Sequence, residues 1–190
     1  MTVSARSPRE LLKRVLHTAL GDYHYWKVFY IDLPQPPVDL PAEVSIRPIK
    51  PEELEDVPDQ GMRERKVFGG NGAQGFGLFV DGELAAVQWY WWGERYQAER
   101  KGRSWVLPPD AAKSLGLYTR PEFRGRGYAP LLKRHTAHLM AQQGFTRLYS
   151  RIWHSHKSSI QVSRKTGWRV AGSYIEICPF SRRIKLRLPL

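Results

Sequence analysis

Short stretches of alternating hydrophobic and polar residues recur along the chain and predict several β-strands. These stretches are rich in β-branched and aromatic residues, which favour extended backbone. Asp81 and Gly82 separate two of them and readily take the positive φ angles of a tight hairpin. The predicted strands cover residues 23–33, 44–49, 76–80, 83–92, 114–119, 145–154, 168–177 and 182–190, the last as an edge strand.

Helix signals lie between these strands. Acidic residues after Pro51 favour one helix start, and Gly144 and Gly167 end two other helices. The predicted helices cover residues 7–20, 51–57, 61–68, 130–143 and 156–166, whereas the polar segment 93–110 is expected to be an exposed loop. The whole pattern predicts an α/β or α+β domain with a single mixed sheet flanked by helices.

Prolines between residues 34 and 41 require an extended, non-helical connector. We therefore expect residues 1–40 to form a helix-strand extension and residues 41–190 to form the main domain. The basic N-terminal helix has apolar residues at helical spacing, so we expect it to pack on the main domain. Contact with a membrane surface or an acidic partner is the alternative.

Composition narrows the class of protein. The 190 residues are 42% hydrophobic and 12% aromatic, which excludes disorder for most of the chain. Cys178 is the only cysteine, so an internal disulfide framework and a zinc site with two thiolates are excluded. With no apolar run of about 18 residues and no signal peptide pattern, we expect a cytoplasmic protein without a transmembrane segment. The net charge of +12 predicts attraction to polyanions.

The most informative segment is RGRGYA, residues 124–129, between a predicted strand and a predicted helix. Glycines allow several backbone N–H groups to converge, and the helix dipole adds positive potential, so this turn is suited to bind a pyrophosphate. The segment lacks the GxGxxG pattern of dinucleotide folds and the GxxxxGK[ST] pattern of P-loops. A flexible basic loop is the alternative interpretation.

With these residues the sequence resembles the GCN5-related N-acetyltransferases (GNAT). Arg124, Gly127 and Ala129 fill the family signature of Arg or Gln, two residues, Gly, one residue, then Gly or Ala. The resemblance covers residues 43–177 and includes VSIRPIKPEELEDV, the hairpin VDGELAAV and SSIQVSRKTGWRVAG. It implies a splayed sheet and an acetyl-CoA or other acyl-CoA binder.

The resemblance also implies where the cofactor lies. The strand before the turn would hold the pantetheine arm through its backbone, and the turn amides would hold the pyrophosphate. The implied cofactor-binding residues are Leu117, Tyr118, Thr119, Arg124, Gly125, Arg126, Gly127, Tyr128, Ala129, His156 and Ser159. Direct attack of an amine on the thioester needs no covalent enzyme intermediate, so Cys178 is expected to be a small buried residue.

Two positions depart from the family pattern. His156 stands at the usual Asn, and Ser163 at the usual Tyr that protonates the thiolate. Ser163 is thus the candidate general acid, with Tyr149 and Tyr174 as rival phenols. Asp110 is the candidate general base, Glu94 and Glu99 are comparable candidates, and deprotonation through ordered water needs none of them.

Other candidate chemistry is weaker. His154 and His156 have metal-ligand spacing on a strand but lack a third ligand, so we predict no metal site. The aromatic run 89–92 is interpreted as a strand buried on both faces, with a pocket wall as the alternative. Five cations are candidates for the CoA 3′-phosphate or else are solvated, namely Lys133, Arg134, Lys157, Arg164 and Lys165.

The sequence therefore predicts an N-acetyltransferase that uses acetyl-CoA and an amine acceptor, as a monomer or homodimer. A small molecule, an amino sugar or a protein amine all fit, and the positive charge favours acidic acceptors. The alternatives are a catalytically silent CoA-binding module and a basic nucleic-acid-associated protein. Scattered cations and buried aromatic patterns argue against the nucleic-acid alternative.

Overall fold

One mixed β-sheet dominates the computed structural model, which describes residues 23–100, 106–177 and 184–188. Among these residues the strand order is β2-β3-β4-β5-β6-β1-β7-β8, and only β5 and β6 run parallel. The strands are β1 Tyr23–Asp32, β2 Val44–Ile49, β3 Ala73–Val80, β4 Glu83–Trp91, β5 Ala111–Thr119, β6 Arg147–Trp153, β7 Arg169–Ile177 and β8 Ile184–Leu188. The predicted strands are confirmed, and β8 lies at the sheet edge as predicted.

Helices cover both faces of the sheet. The described α-helices are α1 Gln60–Arg63, α2 Gly93–Arg100, α3 Tyr128–Gln142 and α4 Lys157–Lys165, and short 3-10 helices span Pro51–Leu54, Glu64–Phe68 and Pro121–Phe123. Tyr90 of β4 contacts α3, because its hydroxyl lies 2.7 Å from that of Thr136. Its neighbour Trp91 packs with Tyr96 of α2. Since successive side chains of a strand point to opposite faces, α2 and α3 cover opposite sides.

The expected loop at 93–110 was wrong for its first part, which forms α2. Glu94 lies in the first turn of this helix, where its negative charge interacts favourably with the positive end of the helix dipole. The buried side chain of Tyr96 anchors the helix to the sheet. The remaining side chains are polar, so the segment lacks the wide apolar stripe that reveals a helix in sequence.

The separation of residues 1–40 from the main domain also does not describe β1. This strand lies inside the sheet and pairs antiparallel with both β6 and β7. It buries Trp26, Val28 and Phe29, which explains why its sequence is so apolar. The predicted N-terminal helix and Cys178 lie outside the described residues.

The parallel pair β5 and β6 separates partway along its length. The ladder runs from Ala111 opposite Arg147 to Ser114 opposite Ser150, and then both strands continue without pairing to each other. A bulge lies at the point of separation, because Gly116 and Leu117 together oppose Gln88 of β4. Bulges bend a strand and increase its twist, so this one directs β5 away from β6. The result is a splayed sheet.

Gly116 is the residue that permits the bulge. Its φ of +63° lies in the left-handed region, and a Cβ atom there would come within 2.6 Å of the Phe68 ring. Both the backbone conformation and the close approach therefore require glycine. Within the described residues, no helix is long and apolar enough to cross a membrane.

Candidate functional site

The turn between β5 and α3 presents backbone N–H groups to an open groove. Gly125 and Gly127 have φ angles of +78° and +82°, and no atom lies within 4 Å of the position that a Cβ would occupy at either residue. Gly127 also forms the N-cap of α3 without a side-chain cap. Among the described residues, the amides from Gly125 to Ala129 donate no internal hydrogen bond. They are available to a ligand.

Two arginines shape this turn. Arg120 is buried, and its guanidinium donates to Glu83 at 2.6 Å and to the Leu84 carbonyl at 3.1 Å, which ties the turn to the β3–β4 hairpin. The side chain of Arg124 donates to the Thr119 carbonyl at 3.0 Å and remains exposed. The turn is therefore held in place while its cations and amides face solvent.

A groove of about 380 Å³ lies between this turn and α4. Arg124, Gly125 and Gly127 line one side, and Gln161 and Lys165 line the other. The partial positive charge of the α3 N-terminus adds to the formal charges of Arg124 and Lys165. Converging free amides, glycines and cations form a site suited to a phosphate or diphosphate.

A second cavity of about 380 Å³ occupies the splay between β5 and β6, and we call it the splay cavity. Residues 115–117 of β5 and 151–153 of β6 line its two sides. The predicted cofactor-binding residues Leu117, His156 and Ser159 line it, as does the candidate acid Ser163. Thr119 lines the adjacent groove, so the two cavities follow one another along β5.

Tyr118 lines neither cavity. Its hydroxyl donates to Asp59 at 3.2 Å, and burial together with Asp59 raises its pKa. Any contact of this residue with a cofactor must therefore come from its backbone.

Gln88 was not found by sequence reasoning. Its side chain is fully buried opposite the bulge, where Nε2 donates to the Leu115 carbonyl at 2.6 Å and to the Ser114 hydroxyl at 3.1 Å. Its Oε1 is buried without a partner among the described residues. The available signal was a single polar residue within the apolar strand AAVQWYWW.

Lys133 differs most from expectation. Instead of lying on a solvated helix surface, it is 2% exposed and lines the splay cavity. Its Nζ lies 3.8 Å from the centroid of the Trp168 ring, and burial lowers its pKa to about 7. Near neutral pH this amine therefore exists in both protonation states, which suits a group that exchanges protons.

Ser163 is fully buried, and its Oγ has no partner among the described residues. The hydroxyl is therefore available to a ligand in the splay cavity. The ring of the rival Tyr149 packs at a tilt against that of Tyr30, with 6.3 Å between the ring centroids, and the ring of Tyr174 stacks against Trp26. Neither phenol lines the splay cavity.

The candidate base Asp110 lies just before β5, at the end where β5 and β6 are still paired. It is exposed, and its carboxylate accepts a hydrogen bond from the Thr146 hydroxyl. Glu94 is exposed at the start of α2, and the side chain of Glu99 is outside the described part. No carboxylate belongs to the described residues that line the splay cavity, so its geometry supports none of these three as a base.

The structure also describes the aromatic strand, the two histidines and three of the basic residues that the sequence singled out. The aromatic strand β4 is buried from Leu84 to Trp91, in agreement with the core interpretation. His154 and His156 are exposed, and no cluster of three or more metal-ligating residue types occurs in the part of the chain that the structure describes. Arg134, Lys157 and Arg164 are exposed.

Known proteins resemble this chain in sequence pattern and in fold. The model of the acetyltransferase (GNAT) family matches residues 41–168. No curated protein matches this chain. A GCN5-related N-acetyltransferase from Sphaerobacter thermophilus has a similar structure, with a TM-score of 0.58 and 14% identity over 97% of this chain and 58% of that chain.

Two further structures are similar. A GNAT-family protein from Novosphingobium aromaticivorans has a TM-score of 0.55 and 23% identity over 83% of this chain and 65% of that one. A Drosophila protein has a TM-score of 0.55 and 16% identity over 94% of this chain and 56% of that one. The chain spans 56% to 65% of the length of these three proteins, and at such identities the likeness shows the fold alone.

Proposed function

The chain belongs to the acetyltransferase (GNAT) family, whose members are acyltransferases, and from this membership we propose that it transfers an acetyl group from acetyl-CoA to a primary amine. The transfer takes place by direct attack in a ternary complex. The observation that carries the proposal is the set of free amides from Gly125 to Ala129 at the entrance to a splayed sheet.

The residues present fit the CoA moiety. The turn amides, with Arg124 and Lys165, would hold the diphosphate, and the unpaired edge of β5 beyond Ser114 would hold the pantetheine arm in the splay cavity. Arg126, an exposed residue within the turn, adds positive charge for the same anion. When bound, acetyl-CoA supplies the electrophilic thioester carbonyl.

In the proposed reaction the ammonium form of the acceptor must first lose a proton to become a neutral amine. The amine nitrogen then forms a bond to the carbonyl carbon, and the carbon–sulfur bond breaks. The second proton that the nitrogen loses as the amide forms is passed on to the sulfur, which leaves as a thiol. Ser163 can donate a hydrogen bond to the sulfur, since its buried hydroxyl has no partner among the described residues. Lys133, with its pKa lowered to about 7, can exchange protons at the same cavity. Positioning by the sheet supplies much of the rate enhancement.

The decisive experiment measures CoA binding and thiol release on the same protein. We expect CoA to bind and acetyl-CoA to release free thiol when amines from a broad panel are added. Binding without thiol release would favour the silent CoA-binding module, for which the supporting observation is that the described residues lining the splay cavity include no carboxylate. Absence of CoA binding together with salt-sensitive binding of nucleic acid would favour a nucleic-acid-associated protein.

A further inference from the structure

Positively charged side chains line the side of the splay cavity that faces away from α3 and α4. Lys113 comes from β5, Arg151 from β6 and Arg65 from the 3-10 helix Glu64–Phe68. Lys113 lies on the α2 side of the sheet, because its Nζ is 5.8 Å from the ring centroid of Tyr96. Arg151 occupies the same side, because Tyr149, two residues earlier on β6, packs against the cluster that contains Tyr96.

Aromatic rings hold these cations against the cavity wall. The guanidinium of Arg151 lies 5.3 Å from the Trp26 ring centroid, and the Nζ of Lys113 lies 5.3 Å from that of Trp91. Such rings attract a cation electrostatically. Two of the cations that line the cavity are therefore held at aromatic surfaces.

Arg151 is partly buried, and this burial lowers its pKa. It forms no salt bridge with a carboxylate in the part of the chain that the structure describes. Glu176 of β7 is the acidic side chain that influences it electrostatically, but Glu176 does not line the cavity. Desolvated charges in native proteins are normally paired, so a partly buried arginine that lines a cavity and forms no salt bridge indicates an anionic ligand.

We infer that the acyl acceptor is a small amine that also carries a carboxylate or a phosphate group, and that Arg151 and Lys113 bind this anion. The inference rests on the proposed function, because it assigns the acceptor side of the same cavity. The pantetheine arm is uncharged and does not require these cations, and a simple alkylammonium ion would be repelled by them. The volume of about 380 Å³ must also hold the thioester end of the cofactor, which favours a small acceptor.

Matched amines test this inference. We would measure kcat/KM for thiol release from acetyl-CoA with β-alanine against β-alaninamide, and with phosphoethanolamine against ethanolamine. Each pair differs mainly in the anion. We expect at least one anionic amine to be preferred about 30-fold or more over its neutral counterpart, and the pair that shows the preference distinguishes carboxylate from phosphate.

Variants place the anion within the cavity. Arg151→Gln is expected to lower kcat/KM for the anionic amine about 30-fold and to leave the neutral amine nearly unchanged, whereas Arg151→Lys keeps much of the preference. Lys113→Met provides a second variant if Arg151→Gln does not fold. Arg47→Gln, a surface change on β2 that also removes one positive charge, should leave the preference intact.

The outcomes separate the two proposals. Equal rates with neutral and anionic amines would overturn the anion site while the acyltransferase proposal stands. If no amine releases thiol, calorimetric titration of the CoA-bound protein with phosphoethanolamine and β-alanine decides the matter. Binding that Arg151→Gln abolishes would support the anion site, and absence of binding would refute it.

Discussion

Replacing the buried Lys133 by methionine is expected to stabilise the fold at and below about pH 7. Burial lowers the pKa of Lys133 from 10.5 to about 7, which corresponds to about 5 kcal/mol at about 1.4 kcal/mol for each pKa unit. Because a pKa difference between the folded and the unfolded chain measures the whole difference in free energy between the two protonation states, the cost of the buried charge is about 5 kcal/mol. The Trp168 ring, whose centroid lies 3.8 Å from Nζ, is the group that faces the ammonium at close range.

The sign of the pH dependence follows from linkage. Below about pH 7 the amine is protonated in both the folded and the unfolded chain, so folding carries the full cost of burying the charge. Between about pH 7 and 10.5 the folded amine is neutral while the unfolded amine still binds a proton. The cost therefore falls as the pH rises through this window and is absent above it.

Urea denaturation at a series of pH values measures this effect. At pH 6 the midpoint of Lys133→Met should lie about 2.5 M above that of the unmodified protein, given a slope of about 2 kcal/mol per M. The difference should shrink steadily towards pH 10. Arg134→Met is the matched control, because Arg134 is the next residue on α3 and is exposed, so its replacement should change stability by less than about 0.5 kcal/mol.

Two results would refute this reasoning. If Lys133→Met unfolds more easily than the unmodified protein at pH 6, the ammonium is stabilised rather than penalised by its surroundings. If the variant is more stable by the same amount at pH 6 and pH 10, the gain comes from apolar packing and not from the charge.

Three further substitutions test the turn, the bulge and the buried hydroxyl. Gly127→Asp should weaken CoA binding more than 100-fold by calorimetry, whereas Gly82→Asp, at a similar positive φ in the β3–β4 hairpin, should impose similar backbone strain and leave binding unchanged. Gly116→Val should lower the unfolding free energy by about 2 kcal/mol or more, because its Cβ meets Phe68, and an unchanged denaturation midpoint would contradict the bulge geometry. Ser163→Ala should slow thiol release about tenfold at unchanged CoA affinity, and an unchanged rate would exclude a hydrogen bond to the sulfur.

Local patterns predicted most of the elements and the turn, because both depend on neighbouring residues. Alternation identified the strands, and the RGRG segment identified a backbone that converges its amides. The position of β1 was not predictable from the same information. Alternation shows that a strand is half-buried or buried, but it does not show which strands will pair with it.

The buried polar residues of the splay cavity were the hardest to predict. Lys133 occupies the sheet-facing side of α3 with Leu132 and Met140, yet a lysine in a helix is usually solvated. Gln88 lies in a strand whose other positions are apolar, and its role depends on the bulge across from it. Both residues break the local pattern, and such breaks concentrate at functional or strained sites.

The bulge at Gly116 connects the backbone geometry to the proposed chemistry. In a continuous ladder β5 and β6 would close the sheet, and a ligand on one face could not reach side chains on the other. Because the strands separate after Ser114, one cavity contacts Lys133 and Ser163 on the α3 side and Arg151 on the α2 side. A thioester held from one face and an amine held from the other can therefore meet between the strands, with proton exchange and anion binding on opposite sides of the reacting carbon.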